Sequence, residues 1–151
     1  MAEETEKPRI SDADMLARFR TSRKRPACSD TLGMELAEVH QDEMRILVDF
    51  KADESFANPT GAIQGGFIAA MLDEAISTNI IIASNVTMTA PTLEMKVSYL
   101  RPLFVGPARV EATILKFGKT VCFSEAACMD PDGKVVATAT ATAAPKPFKR
   151  F

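Results

Sequence analysis

Histidine is almost missing from these 151 residues, with His40 the only one. Cysteine is scarce too. Cys28, Cys122 and Cys128 have no C-x-x-C spacing, so nothing points to a zinc site or a dithiol redox centre. An odd number of cysteines without a framework suits a reducing compartment. No excess of positive charge exists: 18 Lys and Arg stand against 20 Asp and Glu, for a formal net charge of -2. That balance removes the electrostatic reason to expect nucleic acid or an anionic membrane as partner. Residues 1–8 (Met-Ala-Glu-Glu-Thr-Glu-Lys-Pro) are acidic and polar, the opposite of a signal or transit peptide, so a cytoplasmic protein is expected. Internal repeats and low-complexity segments are absent. The most apolar stretch, residues 65–83, carries Asp73 and Glu74 near its middle, which argues against a membrane span and for a helix buried in protein.

The length suits one domain with a core that needs no staples. Residues 1–10 read as a tail, and Ser11-Asp12-Ala13-Asp14 as a helix start with Ser11 as N-cap and an acidic first turn. That helix is expected to end before Pro26. The basic run Arg18, Arg20, Arg23, Lys24 and Arg25 lies toward its C-terminus, where cations complement the macrodipole and a solvated helix end accounts for them. Residues 1–26 are thus set apart as tail and short helix from a main domain over 27–151.

From Leu32 the period changes to two. Met44, Ile46, Val48 and Phe50 alternate with Arg45, Leu47 and Asp49, as in a half-buried strand, and residues 33–39 are its expected hairpin partner. A loop over 53–60 leads into the apolar helix at 65–83. Beyond Val86 the chain reads as strands. Leu93, Met95, Val97 and Tyr99 alternate with Thr92, Glu94, Lys96 and Ser98; residues 109–117 and 120–129 form a hairpin around Gly118-Lys119; Asp130-Pro-Asp-Gly133 is a turn. In the last strand, 135–144, Val135 and four alternating alanines share a face that allows close approach of a neighbour. The economical solution is α+β: one antiparallel sheet of five or six strands, curled around one long helix.

Asp73 and Glu74 are the only charges in the helix. A carboxylate buried there is costly unless paired or hydrogen-bonded. Adjacent helical residues point about 100° apart, so one can face inward while the other meets solvent; the sequence leaves open which does. At the helix start, Gln64-Gly65-Gly66 offers two readings: glycines that let a ligand approach the free N–H groups of the first turn, or tight packing of the helix on the sheet. Asp73 lies eight residues beyond Gly65, about 12 Å further along the axis. If both serve one site, they come from different subunits, with two helices antiparallel across a two-fold axis.

Asn58-Pro-Thr-Gly61-Ala-Ile-Gln64-Gly65-Gly66, followed by Leu72-Asp73, resembles the N-x-x-G-x-x-H-G-G signature and downstream helix acid of hotdog-fold acyl-CoA thioesterases. The nearest groups are the 4-hydroxybenzoyl-CoA, phenylacetyl-CoA (PaaI-like) and thioesterase superfamily member 2-like enzymes. Residues 92–102, ending Tyr99-Leu-Arg-Pro102, look like the family's strand after the helix. The resemblance covers about residues 33–144. It implies hydrolysis of an acyl-CoA by a homodimer, with a dimer of dimers as the larger assembly. Asp73 would be base or nucleophile, and the Gly65 N–H would polarise the thioester carbonyl. Asn58 would position substrate or water, and Thr92 would orient the water near Asp73. Gly66, Phe67, Met71 and Met88 would line the substrate site, with Arg101 a candidate for the CoA phosphates. No metal or organic cofactor is implied, CoA being part of the substrate. Gln64 stands where the family has His; its amide still donates a hydrogen bond but does not titrate. That substitution keeps one rival in view, a non-catalytic acyl-CoA or lipid-binding hotdog protein. A hotdog dehydratase would need an Asp–His pair near the helix start, which this chain lacks. His40 lies on an early strand away from the motif, where a structural or surface role is expected.

Overall fold

The computed structural model describes residues 8–148; the first seven residues of the expected tail and the last three of the chain lie outside them. The elements run α1 (Asp12–Thr21), α2 (Ala27–Thr31), β1 (Glu35–His40), β2 (Arg45–Ala52), α3 (Gly65–Ala83), β3 (Met88–Thr89), β4 (Thr92–Tyr99), β5 (Gly106–Phe117), β6 (Cys122–Met129), β7 (Val135–Ala143) and β8 (Lys146–Pro147). Six strands form one antiparallel sheet in the order β1-β2-β5-β6-β7-β4, and β3 pairs separately with β8. α3 lies across β5 and β6, flanked by β2 and β7. This is the hotdog fold.

Period-two patterning sets the sheet's inner face. Ile46, Val48, Phe50 and Ala52 of β2 point at the helix, as do Ala108, Val110, Ala112 and Ile114 of β5. Ala137, Ala139, Ala141 and Ala143 are buried as expected, and their small side chains let β7 curl against α3. The start of that strand differs. Val136, not Val135, joins the buried face, because a register shift at Cys128/Met129 offsets the strand end. Met44 also leaves the inward series: it adopts a left-handed φ of 53° closing the β1–β2 turn, and it is exposed.

α3 is long and apolar enough to cross a membrane by length and composition alone. In this fold Met71, Leu72, Ala75, Ile76 and Ile80 are each at most 1% exposed inside the protein. Burying a side chain of that kind contributes about 1.5–3 kcal/mol. Asn79 interrupts the apolar face but is satisfied, its Nδ2 donating to the carbonyls of Met44 (2.8 Å) and Ala112 (3.0 Å). Helix and sheet are thereby pinned at one register.

The N-terminal segment packs on the sheet. Ser11 caps α1 by accepting from the Asp14 N–H at 3.1 Å, and Met15 is fully buried. Ile10, expected in the tail, donates its N–H to Asn85 Oδ1 at 2.9 Å and packs against the core. α1 ends at Thr21, and the five-residue α2, absent from the sequence reading, begins after Pro26. Arg20 reaches from α1 to the carbonyls of Leu36 (3.0 Å) and Ala37 (3.2 Å), where β1 carries a bulge. His40 ends β1 and bonds to Glu38 at 2.8 Å on the surface.

Candidate active site

Two neighbouring carboxylates on α3 meet different partners. Asp73 turns toward β4, where the Thr92 hydroxyl donates to its Oδ1 at 2.6 Å. Glu74, one helical step away, turns toward α2 and accepts from the Ser29 hydroxyl, with the Cys28 thiol 3.9 Å from its other oxygen. Both are half-buried. Asp73 and Thr92, 19 residues apart, are therefore brought into direct contact.

At the helix start, Gln64 is the N-cap residue without a side-chain cap, and it is exposed. Its N–H donates to the Phe56 carbonyl at 2.8 Å, and the Phe67 N–H returns to the Gln64 carbonyl at 2.9 Å. Among the described residues, the N–H groups of Gly65 and Gly66 have no acceptor. The two glycines are not equivalent. A Cβ on Gly65 would meet the Tyr99 ring at 3.1–3.2 Å, and the Tyr99 hydroxyl donates to the Gly65 carbonyl at 2.7 Å. A Cβ on Gly66 would meet nothing within 4 Å. Tight packing thus explains Gly65 and does not explain Gly66. In the sequence Tyr99 stands out only as a strand residue.

Asn58 sits in the turn that precedes the helix. Its Oδ1 accepts from the Thr60 N–H (2.9 Å) and hydroxyl (2.6 Å), so this side of the amide holds the turn and Nδ2 remains available. The remaining expected residues do not share one cavity. Phe67 stacks on Phe56 with ring centroids 4.1 Å apart, Met71 is fully buried in the core, and Met88 lies beyond the far end of α3, paired with Pro147. Arg101 donates to the Val135 carbonyl at 2.6 Å. A cavity of ≈ 280 Å³ does open beside Glu74, walled by Phe19, Met34, Leu36, Ile81 and Val86. Phe19 of α1 and Leu36 of β1 belong to that wall, and the motif around Gly65 gave no reason to include them. No group of three or more His, Cys, Asp and Glu among the described residues is arranged to hold a metal ion.

The thioesterase superfamily profile matches residues 60–137, a span that includes Gly65, Asp73, Thr92 and Tyr99. The chain belongs to that superfamily. A solved phenylacetic acid degradation-related protein of Ralstonia eutropha JMP134 is 33% identical, with a TM-score of 0.80, covering 86% of this chain and 98% of that one. Acyl-coenzyme A thioesterase 13 of Mus musculus is 30% identical over 81 residues, 53% of this chain and 57% of that protein. A Streptococcus pneumoniae TIGR4 protein solved with coenzyme A shares the fold, with a TM-score of 0.68 at 19% identity over 78% of this chain and 91% of that one. This superfamily member is accordingly an enzyme of the thioester hydrolase class, with a PaaI-like hotdog fold.

Proposed function

We propose that the protein hydrolyses acyl-CoA thioesters at two sites of a homodimer, each built from the helix start of one protomer and Asp73 of the other. The observation that carries this reading is the Thr92–Asp73 hydrogen bond of 2.6 Å. It fixes one carboxylate oxygen and leaves the second to engage water or substrate.

The dimer follows from what each end of β4 holds. Thr92, at its start, is tied to Asp73; Tyr99, at its end, is tied to Gly65. Among the described residues β4 is an edge strand, paired with β7 alone in the sheet. Antiparallel pairing of two such edges about a two-fold axis near the middle of β4 brings the Thr92 end of one copy beside the Tyr99 end of the other. Asp73 of one protomer then approaches the free N–H groups of its partner's helix start, across the gap that a single helix cannot close.

In this arrangement the thioester carbonyl oxygen lies against the first-turn N–H groups and the positive end of the helix dipole. Asp73 accepts a proton from water, whose oxygen adds to the carbonyl carbon. Collapse of the tetrahedral intermediate breaks the C–S bond, and the departing thiolate recovers the proton from Asp73. Direct attack by Asp73 would give a mixed anhydride instead, and single-turnover hydrolysis in isotopically labelled water separates the routes by whether label enters Asp73. The cavity beside Glu74, where Arg18, Lys24 and Arg25 join the apolar wall, is the acyl site in this reading, and the chemistry calls for no metal or organic cofactor.

An acyl-CoA panel assayed with wild type and Asp73→Asn tests the reading. Turnover by the wild type and a loss of about 10²–10⁴-fold in the variant is expected. Equal turnover by both removes the mechanism, and binding without turnover by either points to the lipid-binding alternative.

A further inference from the structure

We infer that Tyr99 is a positioning residue of the oxyanion site, acting through the Gly65–Gly66 peptide; this rests on the oxyanion role proposed above for the helix start. The Tyr99 hydroxyl donates to the Gly65 carbonyl at 2.7 Å. That carbonyl and the Gly66 N–H are the two ends of one planar, resonance-coupled peptide group. A hydrogen bond at the oxygen draws electron density along the peptide and makes the N–H at its other end a stronger donor, the same cooperativity by which chains of hydrogen bonds strengthen one another. The Gly66 N–H is the one so affected. It has no acceptor among the described residues, and a Cβ added to the same residue would meet nothing within 4 Å.

Geometry adds a second effect. The Tyr99 ring occupies the place a Gly65 side chain would take, 3.1–3.2 Å from an added Cβ. The ring and its hydroxyl together hold the first peptide of α3 against the end of β4. The helix start itself has no side-chain cap to hold it, since Gln64 makes none. Tyr99 therefore does the work that a capping side chain does elsewhere, but from the sheet. It binds a carbonyl and leaves the N–H groups free, whereas an N-cap side chain would take one of the donors the reaction needs. Tyr99 is also half exposed beside the β4 edge, so its hydroxyl stands where the proposed second protomer docks.

Tyr99→Phe keeps the ring and removes the hydrogen bond. Its kcat on an acyl-CoA substrate is expected to fall about fivefold to tenfold with KM within a factor of two, because the bond matters most as charge develops on the carbonyl oxygen. Thermal stability should stay close to wild type, and the Gly66 amide resonance in a ¹⁵N-labelled sample should move. The decisive arm is Gly66→Pro, which deletes the N–H at a first-turn position that tolerates proline. In that background Tyr99→Phe should cost nothing further, since both changes remove one interaction. An unchanged kcat in Tyr99→Phe overturns the inference while a defective Gly66→Pro leaves the oxyanion reading standing. An undiminished Tyr99→Phe effect in the Gly66→Pro background overturns it too, because the route through Gly66 is then wrong. A fully active Gly66→Pro overturns this inference, because nothing then passes through the Gly66 N–H, and leaves the Gly65 N–H as the oxyanion donor.

Discussion

The two edges of the sheet are finished differently. At the β1 edge a bulge lies between Leu36 and Glu38, α1 packs alongside, and Arg20 takes the Leu36 and Ala37 carbonyls that a neighbouring strand would need. These are the devices by which proteins blunt an edge. The β4 edge has a register shift too, between Thr92 and Glu94, but among the described residues no side chain takes its carbonyls. There the strand runs eight residues, with Leu93 59% exposed near its start and Leu100 56% exposed just past its end, and both halves of the proposed site hang from it. One edge is closed against association; the other is left available for it, at the place where the chemistry requires a second copy.

Three changes would break or sharpen that contrast. The largest effect belongs to Leu93→Asp with Leu100→Asp. Both side chains are exposed in a single protomer, so folding should survive, while two pairs of charges enter the proposed interface. Sedimentation should show monomers, and turnover should fall with association, by about 10²-fold or more. Dimers that form normally would move the interface away from β4. A smaller effect is expected on the other edge. Arg20→Ala should lower Tm by about 2–4 °C through the lost carbonyl bonds, with turnover per folded molecule and the association state unchanged. The smallest concerns Gln64. An amide does not titrate, so the pH profile of the first-order rate should have no limb near pH 6–7 that disappears when Gln64 is replaced.

Much of this was legible in the sequence because it rests on periodicity and a local motif. Apolar continuity from Gly65 to Ala83 gave the helix its observed bounds, and the alternation at Ile46, Val48 and Phe50 gave the β2 face. Thr92 was paired with Asp73 by resemblance, and their side chains meet. What escaped depended on tertiary partners. Leu93, Met95, Val97 and Tyr99 alternate with polar residues in the sequence, which by itself does not show how far each is covered. Edge position and a register shift between Thr92 and Glu94 leave Leu93 and Tyr99 exposed. α2 is too short for a helical period to register, yet it supplies the Ser29 hydroxyl to Glu74. The two glycines looked alike in sequence, and only the Tyr99 ring, 34 residues away, separates the packed one from the open one.

Subunit complementation tests the shared site most directly. Gly66→Pro and Asp73→Asn each disable one half of it, so each homodimer should be close to inactive. Unfolded together and refolded as an equal mixture, half of the dimers combine one chain of each kind and carry one intact site of two. About a quarter of wild-type activity is the predicted recovery. Activity that stays at the level of the separate variants would contradict a site divided between protomers.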